Sequence, residues 1–367
     1  MKRYPLGRVL ALPAAAALTF GLVACGSANE EGGGNESGNG GSGLSGTISG
    51  AGSSAQDAAQ QAWQAGFIGK NPDVTVNYDP IGSGGGREQF VSGGSDFGGT
   101  DAYLDEEELA AAKKRCGEVV EIPTYVSPIA VIFNVEGVDE LNLKPATIAK
   151  IFNQKITKWN DPAIAADNPG VQLPDTAISP VNRSDESGTT ENFVEYLKAA
   201  APQDWPHEVS GDWPVKGGEA AQGTSGVVQA VTNGNGTIGY ADASQAGELS
   251  TAKVGVGDEF VGYSPEAAAK VLDVSERVEG RGEYSFAYDL ARDTTESGTY
   301  PIVLVSYEIA CTNYDDANKA ELVKGYFDYM ISEEGQQASA KSAGSAPISD
   351  KLRQQIQPAV DAIGSGS

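Results

Sequence analysis

A strand, a tight turn of glycine and hydroxyl residues, then a helix: this unit recurs three times and narrows the architecture more than any other feature of the chain. Residues 47–51 (T-I-S-G-A) read as a strand and Gly52, Ser53 and Ser54 as the turn. Ala55, Ala58, Ala59, Ala62, Trp63 and Phe67 then form the apolar stripe of a helix. Residues 74–78 (V-T-V-N-Y) alternate as a strand does, residues 81–86 (I-G-S-G-G-G) turn, and a helix runs from Arg87 through Phe90. Ile178 and Val181 end a third strand. Arg183, Asp185, Ser187, Gly188 and Thr189 follow it, and Phe193, Val194 and Leu197 mark one face of the next helix. Strands alternating with helices in this way predict an α/β fold with largely parallel sheets.

In such folds the turns gather at the carboxyl ends of the strands, where ligands bind. Ser187 and Thr189 stand at the first turn of a helix, whose leading N–H groups lack intrahelical acceptors. Two hydroxyls, those donors and the positive end of the helix make an anion cradle. Arg183 adds a guanidinium that can bond two oxygens at once, and Asp185 can hold it in place. The plainer reading is that Ser187 or Thr189 only caps the helix. Ser53, Ser54 and Ser83 offer further hydroxyls. The glycines at 82–86 let backbone N–H groups approach a small ligand, and they do not complete the G-x-G-x-x-G pattern of a dinucleotide site.

Residues 95–102 (S-D-F-G-G-T-D-A) read as a short strand ending on Asp101. A carboxylate there repels a bare anion but accepts a hydrogen bond from one that still carries a proton. Phosphate carries one at neutral pH and sulfate does not, so sulfate would leave the buried carboxylate unmatched, a penalty on the order of several kcal/mol. The plainer alternative is that Asp101 caps the helix beginning near Asp105.

The N-terminus reads as an export signal. Lys2, Arg3 and Arg8 form a basic start, and residues 9–24 are apolar and alanine-rich, ending L-V-A-C at Cys25. Small residues before Cys25 mark a lipoprotein signal; an ordinary signal peptide and a membrane span are the other readings, and the stretch is short for a span. Residues 27–46 are almost all Gly, Ser, Asn and Glu, a tether with nothing to bury. The expectation is a signal peptide at 1–24, an acylated Cys25 (more than one chain, palmitate included) and a flexible linker to residue 46. These anchor the folded part to the extracytoplasmic face of the cell membrane.

The chain carries 25 Lys and Arg against 50 Asp and Glu, a net charge of −25; loss of residues 1–24 removes three basic residues and no acidic one, leaving −28. That field excludes general binding of nucleic acid or an anionic surface, so an anion must be held by local donors in a buried site. Cys116 and Cys311 form either one disulfide closing a very long loop or two buried free thiols. His207, the one histidine, reads as a surface loop residue; alone it cannot build a His-rich metal site, and a Ser–His hydrolase would have to rely on it. Residues 250–253 (S-T-A-K) match S-x-x-K of penicillin-recognising enzymes without the K-T-G or S-D-N companions, and Ser250 reads as part of a polar loop. No enzyme, metal or cofactor is expected.

Two β-rich runs, 121–134 and 300–311, are long enough to pass between lobes. They predict a two-lobe clamshell with the second lobe inserted into the first. Lobe 1 then comprises 47–127 and 304–367, with helices from Lys319 onward packed on it, and lobe 2 comprises 128–303.

The turns G-A-G-S-S (50–54), I-G-S-G-G-G (81–86), D-F-G-G-T-D-A (96–102) and R-S-D-E-S-G-T-T (183–190) together resemble the phosphate-binding proteins of high-affinity phosphate ABC importers. K-I-T-K-W-N-D-P-A-I from Lys155 and N-P-G-V-Q-L-P (168–174) match the family between them, and order and spacing agree over about residues 46–350. The resemblance implies a type II periplasmic-binding-protein-like clamshell hinged on two crossover strands. It also implies inorganic phosphate as ligand and a monomer that delivers it to the transmembrane permease subunits. By the same resemblance, Ser53, Ser54 and Ala55 hold phosphate from the first turn and Ser83 from the second. Asp101 accepts its proton, and Arg183, Ser187, Gly188 and Thr189 complete the site, with Asp185 orienting Arg183. The family's first turn often reads Thr-Phe where this chain has Ser54-Ala55, which keeps the hydroxyl and the N–H and opens the cleft wall. A receptor for another tetrahedral oxyanion, and a sensor or adhesin on the same fold, are the alternatives.

Overall fold

The computed structural model describes residues 43–273 and 275–365. Cys25, the segment before it and the linker up to residue 42 lie outside the described residues. The first elements alternate as the sequence predicts: β1 (Gly46–Gly52), α1 (Asp57–Lys70), β2 (Val74–Asp79), α2 (Ser83–Ser92), β3 (Phe97–Thr100) and α3 (Glu106–Cys116). Next come β4 (Val119–Asn134), β5 (Leu141–Leu143), α4 (Pro145–Phe152), α5 (Pro162–Asp167), β6 (Ser179–Arg183) and α6 (Gly188–Ala200). They are followed by β7 (Glu219–Ala221), α7 (Gly223–Asn233), β8 (Thr237–Asp242), β9 (Ser250–Val256), β10 (Glu259–Val261) and α8 (Pro265–Asp273). Short strands β11 (Glu276–Arg277) and β12 (Tyr288–Asp289) precede β13 (Val303–Cys311), and α9 (Ala317–Ile331), α10 (Glu333–Ala343) and α11 (Asp350–Asp361) pack behind the first strands.

Two lobes result, crossed by β4 and β13. The first part of β4 pairs antiparallel with β13, which lies beside β3; the rest of β4 pairs with β8, which lies beside β6. One strand leaves the first lobe and the other returns to it, so the two must run in opposite directions. The sheet is therefore mixed, parallel through β2–β1–β3 and β8–β6–β7 and antiparallel between them, where the sequence predicts largely parallel pairing. β13 and all but the last residue of β4 are buried, which explains their nearly unbroken apolar runs. Pro123, which has no N–H for the ladder, is accommodated where the β4–β13 register shifts between Ser306 and Tyr307.

In the first lobe α1 buries Ala59, Trp63 and Phe67 at helical spacing, and the Trp63 indole donates to the Gly335 carbonyl at 2.8 Å, satisfying its one polar atom. Burying a ring such as Phe97, wholly enclosed beside Tyr326, is worth about 2–3 kcal/mol. In the second lobe Phe193 of α6 stacks on Tyr240 of β8 at 4.5 Å, seating the helix whose N-terminus faces the cleft. Cys116 and Cys311 form a disulfide within the first lobe, resolving the alternatives left by the sequence. Residues 281–285 reach back to the first lobe, where Arg281 (3.1 Å) and Ser285 (2.5 Å) donate to the buried Glu121 carboxylate.

Candidate functional site

The turns that follow β1, β2, β3 and β6 meet between the lobes. After β1, Gly52 has φ +149°, and a Cβ there would lie 1.9 Å from the Gly99 carbonyl oxygen, so only glycine lets β1 and β3 close up. Ser53 N then donates to Gly99 O at 2.8 Å, and the Ser53 hydroxyl oxygen accepts from the N–H groups of Ala55 (3.1 Å) and Gln56 (3.3 Å). After β2, the glycine run is not a free turn as the sequence suggests: α2 begins at Ser83 and takes the glycines into its first turn. Close approach explains them, since a Cβ on Gly86 would lie 2.3 Å from Gly52 Cα and one on Gly84 1.7 Å from the Glu186 carboxylate. Ser83 Oγ accepts from Asp101 N at 3.1 Å.

After β6, Ser187 caps α6, its hydroxyl oxygen accepting from Thr190 N at 3.2 Å. Ser53, Ser83 and Ser187 thus share one arrangement: each Oγ accepts a main-chain N–H, and its own proton is left to donate. Capping and anion binding are not rival readings of Ser187, because the cap uses a lone pair and the ligand would use the proton. Asp101 does not cap α3; Asp105 does, in a reciprocal capping box with Glu108. That removes the plainer reading of Asp101.

The Asp101 carboxylate lies at the junction. Oδ1 accepts from Ser306 Oγ at 2.5 Å and Oδ2 from Thr189 Oγ1 of the opposite lobe at 3.1 Å, while Asn192 of α6 donates to its carbonyl at 2.6 Å. Arg183, at the end of β6, donates to Asp185 through Nε (2.8 Å) and Nη2 (2.5 Å), and Gly223 N donates to the same carboxylate at 3.0 Å. Burial pushes the Asp185 carboxyl up, but the Arg183 guanidinium and these donors outweigh it and hold the group below the usual carboxylate range. The lobes touch closely: a Cβ on Gly188 would lie 2.7 Å from Asp101 Cβ and 2.8 Å from Ser83 Oγ, and one on Gly82 2.7 Å from Asp185 Oδ2. Ser53, Ser83, Asp101, Arg183, Ser187 and Thr189 are each at most 3% exposed. The site is enclosed, as the chain's acidity requires of any anion site.

All the expected residues, Ser53, Ser54, Ala55, Ser83, Asp101, Arg183, Asp185, Ser187, Gly188 and Thr189, lie at this junction or in the turns that form it. Several others were not foreseen. Thr224 of α7 donates its N–H to Ser54 Oγ at 3.1 Å across the cleft, and their hydroxyls lie 3.0 Å apart. The G-T-S-G start of α7 has the same turn grammar and could have signalled it. Arg87 pairs with Glu108 (2.8 Å) in its own lobe and with Glu186 across the cleft. Nothing local in the sequence marks Arg87, Asn192 or Ser306. Beside Asp101 a cavity of about 100 Å³ is lined by Glu191, Glu195 and Arg292 among others; burial pushes the Glu191 carboxyl up to about 7, with Arg87 pulling the other way. His207 is half-buried, packs on Trp205 and lies 3.1 Å from Asn153 Oδ1. Ser250 opens β9 rather than lying in a loop, far from any helix start an S-x-x-K nucleophile would need. Among the described residues no cluster of three or more His, Cys, Asp or Glu could hold a metal.

A clamshell with this cleft is the architecture of a solute-binding receptor, and residues 37–334 match the family model described as the PBP superfamily domain. Phosphate-binding protein PstS 3 of Mycobacterium leprae is 38% identical over 327 residues, covering 86% of this chain and 87% of its own. PstS 3 of Mycobacterium tuberculosis is 37% identical over 99% of this chain and 100% of its own. In fold, the chain is similar to the phosphate-binding protein from Stenotrophomonas maltophilia, with a TM-score of 0.67 at 17% identity, covering 86% of this chain and 94% of that one. The chain belongs to the PstS family of phosphate-binding proteins.

Proposed function

We propose that the protein is an extracytoplasmic receptor that closes its two lobes on one inorganic phosphate and delivers it to the permease subunits of an ABC importer. The observation that carries this reading is the Asp101 carboxylate set among hydroxyls whose oxygens are already engaged. The hydroxyl protons of Ser53, Ser83 and Ser187, the Ala55 and Gly188 turns and the Arg183 guanidinium suit the anionic oxygens. Asp101 suits the one oxygen that bears a proton. The names of the PstS relatives support the same ligand. Thr189 and Ser54 face across the cleft and serve closure as well as binding.

Lobe 1 is assigned to 47–127 and 304–367 and lobe 2 to 128–303, with the segment around Arg281 folded back on lobe 1. The receptor acts as a monomer without cofactor or catalytic group, held to the membrane by acyl chains on Cys25. Titration calorimetry tests the ligand: phosphate and arsenate should bind with a 1:1 stoichiometry that equimolar sulfate does not disturb, and sulfate binding of comparable strength would overturn the reading. Fractionation tests the anchor, since Cys25→Ala should move the protein from the membrane to the soluble fraction.

A further inference from the structure

Four buried polar side chains line up behind Asp101; Gln56 closes the turn after β1, and the other three lie outside the turns that face the ligand. Ser306 Oγ donates to Asp101 Oδ1 at 2.5 Å; Gln56 Nε2 donates to Ser306 Oγ at 2.5 Å and to the Tyr307 carbonyl at 3.4 Å. Gln60 Nε2 in turn donates to Gln56 Oε1 at 3.0 Å and to Glu308 Oε1 at 2.7 Å, and the Tyr326 hydroxyl donates to Gln60 Oε1 at 2.9 Å. Gln56, Gln60, Ser306 and Glu308 are wholly buried.

The direction of this chain is fixed by its chemistry. The Tyr307 carbonyl can only accept, so the Gln56 amide must turn its NH2 toward it and toward Ser306. Gln56 Oε1 then faces Gln60 and requires the Gln60 NH2 there. With one side of Ser306 Oγ taken by the Gln56 donor, the Ser306 proton has two acceptors in reach, Asp101 Oδ1 at 2.5 Å and the Thr100 carbonyl at 3.4 Å. The shorter, charge-assisted bond wins.

Stability does not explain the chain. Buried polar groups are costly unless every one is paired, and Glu308 Oε2 is buried with no partner. Burial pushes the Glu308 carboxyl well up, with the Gln60 hydrogen bond pulling the other way and the Asp101 charge adding to the rise. The backbone gives a second, independent indication. The β4–β13 register shifts between Ser306 and Tyr307, the kind of irregularity that re-aims a side chain.

We propose that Ser306, held as a donor by Gln56, is a positioning residue for ligand selection: it occupies Asp101 Oδ1 and leaves Oδ2, which faces the second lobe and takes the Thr189 hydroxyl (3.1 Å) on one lone pair, to accept the proton of the bound anion on the other. The proposal rests on the phosphate reading above. A hydrogen bond to one carboxylate oxygen fixes the plane of the group, and a fixed acceptor is what a protonated oxyanion can use and sulfate cannot.

The test is calorimetric titration of ligand-stripped wild type, Ser306→Ala, Ser306→Thr and Gln56→Met with phosphate, arsenate and sulfate. In Ser306→Ala, phosphate and arsenate should weaken together by about tenfold, the scale of one such bond, while sulfate does not weaken. Ser306→Thr restores the hydroxyl and should restore the ratio. Gln56→Met frees the Ser306 proton for Thr100 and should lower the ratio in the same direction. Parallel weakening of all three anions in Ser306→Ala, or a phosphate-to-sulfate ratio within twofold of wild type, would overturn the proposal while leaving the phosphate receptor intact. Wild-type protein that does not prefer phosphate would overturn both.

Discussion

Asp185→Asn separates the charge that holds Arg183 from the charge that a ligand brings. Arg183 is 3% exposed, and its Nε and Nη2 both end on Asp185, whose side chain is 15% exposed. Removing one partner of a fully buried ion pair costs about 3–5 kcal/mol, because the other charge is left in a poor solvent. Asp185 keeps some water, so we take about 2–3 kcal/mol. An unfolding entropy of roughly 2 cal/mol/K per residue over some 320 residues converts this to a fall of about 3–5 °C in Tm. The asparagine is nearly isosteric and its one oxygen can still accept from Gly223 N and Arg183 Nε, but its NH2 then faces Arg183 Nη2, so the loss combines the charge with one hydrogen bond. Because the folded-state pKa of Asp185 lies below its usual 3.8, the contribution is present above that value and is lost as pH falls through the folded value. The difference between the two proteins should therefore begin to narrow only as pH falls below 3.8. Bound phosphate neutralises Arg183 by itself, so the deficit should also shrink in saturating phosphate. Thermal melts of stripped protein from about pH 2 to 8, with and without phosphate, read all three effects. A variant that melts within 1 °C of wild type at pH 7 without ligand would refute the claim that Asp185 balances the Arg183 charge.

Gly188→Ala places a methyl 2.7 Å from Asp101 Cβ and 2.8 Å from Ser83 Oγ, both in the other lobe. Phosphate affinity should fall by tenfold or more, about 1.4 kcal/mol at least, with no loss of Tm in the stripped protein; unchanged affinity would mean that the lobes do not need this contact. Glu308→Gln tests the raised carboxyl at the far end of the buried chain. A carboxyl whose folded pKa is raised stabilises fully below its unfolded value and loses that contribution as pH rises, by at most about 1.4 kcal/mol per pH unit. The glutamine variant should gain stability relative to wild type as pH rises above the ordinary carboxyl value of 4.5 in urea melts, and a constant offset would contradict a raised Glu308 carboxyl.

The turn grammar was legible because it is local. A strand, a glycine where two backbones touch, a hydroxyl and a helix occur within about ten residues, so Ser53, Ser83 and Ser187 could be picked from sequence. The crossing strands were legible as well, since burial on both faces leaves a largely apolar run such as residues 303–311, interrupted only by Ser306 and Glu308. Direction was not, because pairing depends on how the lobes connect. Ser306 shows the limit most clearly. It is a serine in the middle of an apolar strand, and only the β4–β13 register brings it to Asp101, 205 residues earlier in the chain. Arg87 is similar: its partner Glu186 lies 99 residues away and belongs to the opposite lobe. Thr224 is different: its G-T-S-G turn repeats the pattern recognised elsewhere, so it was legible in the sequence.

The central claim is that Asp101 selects phosphate by accepting a proton that sulfate lacks. Calorimetric titration of Asp101→Asn and wild type with phosphate and sulfate tests it most directly. We expect wild type to bind phosphate and give no measurable heat with sulfate, and the asparagine, which can donate where the aspartate could only accept, to lose phosphate affinity and gain sulfate binding. An Asp101→Asn protein that binds phosphate as tightly as wild type and still rejects sulfate would contradict the claim.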